Sequence, residues 1–211
     1  MLKLLPLCFL ILAFSIQPLL ASEPEPVLDR QGNPLEPGVG YYVWPLWANN
    51  GGLALGETMN KTCPLDVTRN PYIIGLPVTF TVPGLDYIPT LTDLTVNFSL
   101  LSTPCFQPTV WKINKVGSGL WFVSTLGVAG DVTSKFKIER LEGEQSCEIY
   151  SFKYCPTVPG TLGLCAPIGT YVDAGGTKVM AIGDAIEPYY VRFQKVSTYP
   201  RENNQGFSSA Y

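Results

Sequence analysis

The chain has 211 residues, is 46% hydrophobic and carries a formal net charge of −3 with no histidine. Without an imidazole there is no Ser-His-Asp or Cys-His centre and no histidine ligand for a hydrolytic zinc, so the common hydrolase chemistries are excluded. The 14 Lys and Arg are dispersed among 17 acids, which leaves no basic stripe for nucleic acid. No glycine-rich phosphate loop and no C-x-x-C pair occurs, so neither a cofactor nor a metal is expected.

The chain opens with Lys3 and an apolar run from Leu4 to Leu20, interrupted by Pro6 and Pro18. This reads as a secretory signal peptide, residues 1–21, cleaved near Ala21 ahead of a polar, Pro-rich start. A single domain is expected over residues 22–211, secreted or delivered to a vacuole, with no membrane contact once the leader is removed. Twenty Gly and 19 Pro punctuate the remainder, and the runs between them are short, β-branched and aromatic, so the fold class is all-β. The predicted strands, in order, are 40–45, 53–56, 77–82, 94–100, 109–114, 121–125, 136–141, 148–155, 170–173, 177–181 and 189–196. Hairpin connections are expected at Asn49-Asn-Gly-Gly52, Val116-Gly-Ser-Gly119 and Asp173-Ala-Gly-Gly176, where positive φ is needed. In the strand at 148–155, Tyr150, Phe152 and Tyr154 fall on one face, with Ser151 and Lys153 on the other, as in a half-buried strand.

Without Cys8 of the leader, Cys63, Cys105, Cys147, Cys155 and Cys165 enter an oxidising compartment. Spacing alone leaves fifteen two-disulfide arrangements open, from five choices of the odd cysteine and three pairings of the rest. Asn60-Lys-Thr62 and Asn97-Phe-Ser99 are glycosylation sequons, Asn60 lying in a polar stretch and Asn97 inside a predicted strand. The four Trp and 11 Tyr read as cross-strand and core packing before they read as a sugar site. Glu142 and Glu144 sit together in a turn, and no second acidic pair suggests a glycosidase, so the chain is not read as an enzyme.

Residues 27–43 open with an apolar-x-Asp, followed by Gly32 and then an apolar residue ahead of Tyr-x-apolar, with Gln31 at a position usually held by an acid, Asn, Thr or Tyr. Cys63-Pro-Leu65, Asp93-Leu-Thr-Val-Asn-Phe-Ser99, Trp111-Lys-Ile113, Phe136-Lys-Ile-Glu139, Tyr154-Cys-Pro156, Cys165 and Val191-Arg-Phe-Gln-Lys195 follow in order. Together these resemble the plant Kunitz family of protease inhibitors, of soybean-trypsin-inhibitor type, and its miraculin-like members. The resemblance implies a β-trefoil of twelve strands in a pseudo-threefold barrel. It also implies disulfides Cys63–Cys105 and Cys155–Cys165, with Cys147 unpaired, in a monomer serving plant defence.

The resemblance further implies a protease partner, held by an exposed reactive loop at Pro83, Gly84, Leu85, Asp86, Tyr87 and Ile88, within residues 82–92. No Lys or Arg occurs between Gly75 and Trp111. A trypsin-like pocket, with its buried aspartate, would be left unpaired there at a cost of roughly 2 to 5 kcal/mol. Leu85, or next Tyr87, suits the apolar pocket of a chymotrypsin-like serine protease, with papain-like and aspartic enzymes as further targets within the family. Pro37 stands where inhibitors carry an asparagine that braces the loop, and proline has no side-chain donor. The alternative is a non-inhibitory binding or storage trefoil that takes a ligand or carbohydrate.

Overall fold

The computed structural model describes residues 24–47, 51–59, 61–99, 103–143, 148–158 and 163–197. The expected leader, Asn60 and Cys147 lie outside these residues. Thirteen strands are formed among the described residues: β1 (Tyr41–Pro45), β2 (Gly52–Thr58), β3 (Lys61–Asn70), β4 (Val78–Thr81), β5 (Thr95–Phe98), β6 (Lys112–Gly117), β7 (Leu120–Ser124), β8 (Lys137–Arg140), β9 (Tyr150–Tyr154), β10 (Ala166–Pro167), β11 (Gly169–Val172), β12 (Lys178–Gly183) and β13 (Tyr190–Lys195).

Six of them close a barrel. β1 pairs with β13 and β4, β4 with β5, β8 with β9, and β9 with β13, all antiparallel. The seam between the β5 and β8 sides is joined by a bridge in which Leu94 and Phe136 exchange both main-chain hydrogen bonds. The strands alternate as a one-sided sheet requires: Val78 and Phe80, Val96 and Phe98, Tyr150 and Phe152, and Val191 and Phe193 turn inward and are buried. Phe80, Phe152 and Phe193 meet at ring-centroid distances of 5.4 to 6.3 Å, and Trp111 packs on Phe152 at 5.3 Å and on Phe136 at 5.8 Å.

The hairpins β2–β3, β6–β7 and β11–β12 form a cap in which each touches both others. Asp66 of β3 pairs with Ser124 of β7, Phe122 of β7 with Ala181 of β12, and Val179 of β12 with Thr68 of β3. Barrel and cap together divide the chain into three four-strand sets, β1–β4, β5–β8, and β9 with β11–β13, and β10 is a two-residue addition. This is the β-trefoil arrangement.

The expected turns at 116–119 and 173–176 connect hairpins, with Gly119 at φ +70° and Gly176 at φ +82°. The turn expected at 49–52 lies partly outside the described residues, and the strands on either side of it do not pair with each other: β1 pairs with β13 and β4, and β2 with β3. Its glycines serve close approach, since a Cβ on Gly52 would sit 2.0 Å from the Ile74 carbonyl oxygen. The longest strand, β3, was not predicted, because its run from Leu65 to Arg69 is buried on both faces and does not alternate. Its Asp66 is only 1% exposed and accepts hydrogen bonds from Thr58 and Ser124, with Lys61 Nζ at 3.6 Å.

Candidate functional site

The segment after β4 leaves the barrel with Val82 still buried, then turns at Pro83-Gly84, where Gly84 has φ +75°. Proline presets the first turn position and glycine takes the left-handed one, so this dipeptide is suited to a tight bend. Leu85 emerges 41% exposed, Asp86 is exposed and Tyr87 is half-buried.

Ile88 is a correction to the sequence reading. It was grouped with the exposed loop, but it is 0% exposed and part of the main core, and Thr90 is 3% exposed. The presented part is residues 83–87.

What holds the segment is the main chain of the first described residues. Val27 N donates to Ile88 O at 2.8 Å, Ile88 N to Leu35 O at 2.9 Å, and Thr90 N to Glu25 O at 2.7 Å. Glu25 N in turn donates to Thr90 Oγ1 at 2.9 Å. Beyond these, Leu91 N donates to Ile138 O at 2.9 Å, fixing the far end to β8. Asp93 then accepts from Thr157 N at 3.1 Å and lies 3.5 and 3.6 Å from the Lys135 and Lys137 ammonium groups, which ties the end of the loop to the segment carrying the Cys155–Cys165 disulfide. Pro37, half-buried, provides no side-chain brace, and this clamp of backbone groups from residues 25–35 takes that role. Sequence reasoning missed Glu25, Val27 and Leu35 as supports because main-chain hydrogen bonds leave no side-chain signature.

Beside residues 86 and 87 lies a hollow of about 680 Å³, bordered by Pro26, Asn33, Glu36 and Lys195. Lys195 Nζ donates to Glu36 Oε1 at 2.7 Å, and this bond raises the lysine pKa above its ordinary value. Asp86 is the exposed carboxylate on the loop side of the hollow.

The disulfides are Cys63–Cys105, with Cα atoms 5.9 Å apart, and Cys155–Cys165, at 4.1 Å. Of the sequons, Asn97 lies in β5 opposite Thr79, half-buried, with its Oδ1 accepting from Thr109 Oγ1 at 2.6 Å.

Residues 27–195 match the family model Kunitz legume, described as trypsin and protease inhibitor. Over 206 residues the chain is 34% identical to miraculin of Synsepalum dulcificum, covering 88% of this chain and 91% of the relative. Among solved structures, the water-soluble chlorophyll protein of Brassica oleracea with chlorophyll b superposes with a TM-score of 0.67 at 28% identity, over 82% of this chain and 99% of that one. The soybean trypsin inhibitor in complex with porcine pancreatic trypsin gives 0.68 at 26% identity, over 82% of this chain and 100% of that one.

Proposed function

Because the chain belongs to the Kunitz family of trypsin and protease inhibitors, which are not enzymes, we propose that it inhibits a protease by presenting residues 83–87. In this reading Leu85 enters the apolar specificity pocket of a chymotrypsin-like serine protease. The observation that carries the reading is the contrast at the base of the loop: Leu85 is exposed, while Ile88 and Thr90, a few residues on, are locked to residues 25–35 by main-chain hydrogen bonds. A segment held in this way loses little conformational freedom on docking, so more of the interaction energy appears as affinity. Burying Leu85 fully in an apolar pocket would contribute roughly 1.5 to 3 kcal/mol. The same side chain offers nothing to the aspartate of a trypsin pocket. The protein acts as a monomer, outside the cell or in a vacuole, after removal of residues 1–21.

One observation favours a second reading. Gly84 is left-handed immediately before Leu85, which interrupts the extended line that a substrate holds across a protease cleft. A loop that keeps this bend would serve a non-inhibitory binding role. Purified protein assayed against trypsin, chymotrypsin, elastase and papain separates the two. Chymotrypsin slowed at micromolar protein, with trypsin unaffected and a Leu85→Gly, Tyr87→Gly double variant weakened roughly tenfold or more, supports inhibition. If no enzyme is slowed, or the double variant inhibits equally well, the loop is not the inhibitory element.

A further inference from the structure

A second concave site uses none of the residues 82–92. It is a cleft of about 320 Å³ with Trp47, Arg69, Thr170, Glu187, Tyr189 and Tyr190 in its wall, at the small end of the range of ligand sites. That size admits one or two sugar rings and not a folded partner. Trp47 is 56% exposed, a large apolar surface to leave in water. The indole is held edge-on to Tyr190, with ring centroids 5.9 Å apart at 74°, and the neighbouring Leu46 N donates to Tyr190 O at 2.9 Å. A positioned indole with an open face suits the apolar C–H face of a pyranose, whereas an enclosed slot would suit a wholly apolar ligand.

The same cleft is lined by a cation, Arg69, and by the exposed carboxylate of Glu187. Arg69 is 9% exposed, its guanidinium lies 4.2 Å from the centre of the Tyr189 ring, and its Nη1 donates to Thr170 Oγ1. Tyr189 is itself fixed, its hydroxyl donating to Gly51 O at 2.9 Å. Burial lowers the arginine pKa from its ordinary value, yet guanidinium remains a cation at any physiological pH. A charge set in so dry a wall acts on a carboxylate more strongly than a surface lysine would. Thr170 and Glu187 add a hydroxyl and an acceptor for sugar hydroxyls.

From this pairing of an open indole face with a recessed guanidinium we infer that the cleft binds a carboxylated saccharide, a uronic acid whose ring stacks on Trp47 and whose carboxylate meets Arg69. A carboxylate side chain on a peptide would reach Arg69 but leave Trp47 without a ring to cover.

The test titrates digalacturonic acid, its methyl ester, cellobiose and a Glu-rich tetrapeptide into the purified protein, followed by tryptophan fluorescence and calorimetry. Digalacturonic acid binds, while the methyl ester and cellobiose bind roughly tenfold more weakly or not at all. Trp47→Ala, at an exposed position, retains the fold and loses roughly tenfold or more in affinity, and Thr170→Val weakens binding without touching the charge. Inhibition of any protease is unchanged in both variants, which keeps this site separate from the loop. No binding of digalacturonic acid at millimolar concentration overturns the inference. So does equal binding of the methyl ester, full affinity in Trp47→Ala, or tighter binding of the tetrapeptide.

Discussion

Replacing Ile88 by alanine tests whether the loop is preorganised from beneath. The side chain is fully buried in the main core, while its backbone N–H and C=O are both spent on Leu35 and Val27. Truncation removes three carbon atoms, worth roughly 2.4 kcal/mol at about 0.8 kcal/mol each. The cavity left under a clamped backbone adds to this, bringing the expected loss to roughly 3 to 4 kcal/mol, inside the usual span for such changes. Urea unfolding reads it directly: with a slope of roughly 2 kcal/mol per molar, the midpoint falls by about 1.5 to 2 M and the slope is unchanged. Limited digestion by chymotrypsin gives the functional side, since a loosened base lets the 83–87 segment open and be cut faster. Leu85→Ala is the control, because a half-exposed side chain costs within about 0.5 kcal/mol of stability. A loss below about 1 kcal/mol for Ile88→Ala, or an equal loss for Leu85→Ala, refutes the argument that the buried foot holds the loop.

Burial pushes the Tyr189 phenol up to about 12. The folded state therefore holds this proton more tightly than the unfolded chain, near 10, so the associated stability, roughly 2 to 3 kcal/mol, is complete below pH 10 and lost as pH rises toward 12. Tyr41 and Tyr150 shift in the same direction by burial, so Tyr189→Phe flattens the alkaline slope in part, and an unchanged slope refutes the assignment. Asp66→Ala leaves the Thr58 and Ser124 hydroxyls buried without their acceptor and costs roughly 3 kcal/mol by urea unfolding, and a loss under about 1 kcal/mol contradicts this. Removing Cys63–Cys105, which spans 42 residues, costs roughly 4 kcal/mol, against roughly 3 for Cys155–Cys165, which spans 10; thermal unfolding of the two double-serine variants checks the order.

Most barrel strands were legible from the amino-acid order, because a strand with one wet face writes its burial into a period of two. β4, β5 and β13 show this directly in Val78 and Phe80, Val96 and Phe98, and Val191 and Phe193, while in β9 Ser151 is buried along with Tyr150 and Phe152. The glycines at 119 and 176 marked true hairpins for the same local reason, that a tight reversal needs a left-handed residue. The family resemblance supplied the two disulfide pairings that the structure shows, which spacing had left among fifteen arrangements.

Contacts between residues far apart in the chain decided the rest. β3 buries an aspartate and an arginine, Asp66 and Arg69, and only the three-hairpin cap around it explains why. Ile88 reads as one more apolar loop residue until Val27 and Leu35, some sixty and fifty positions away, close over it with main-chain hydrogen bonds. Trp47, Arg69, Thr170 and Tyr190 share a cleft because cap and barrel meet there. Side-chain alternation is a local quantity and survives in the order of residues. Backbone pairing and the burial of charge depend on which distant segments the fold brings together, and no short stretch of chain records that.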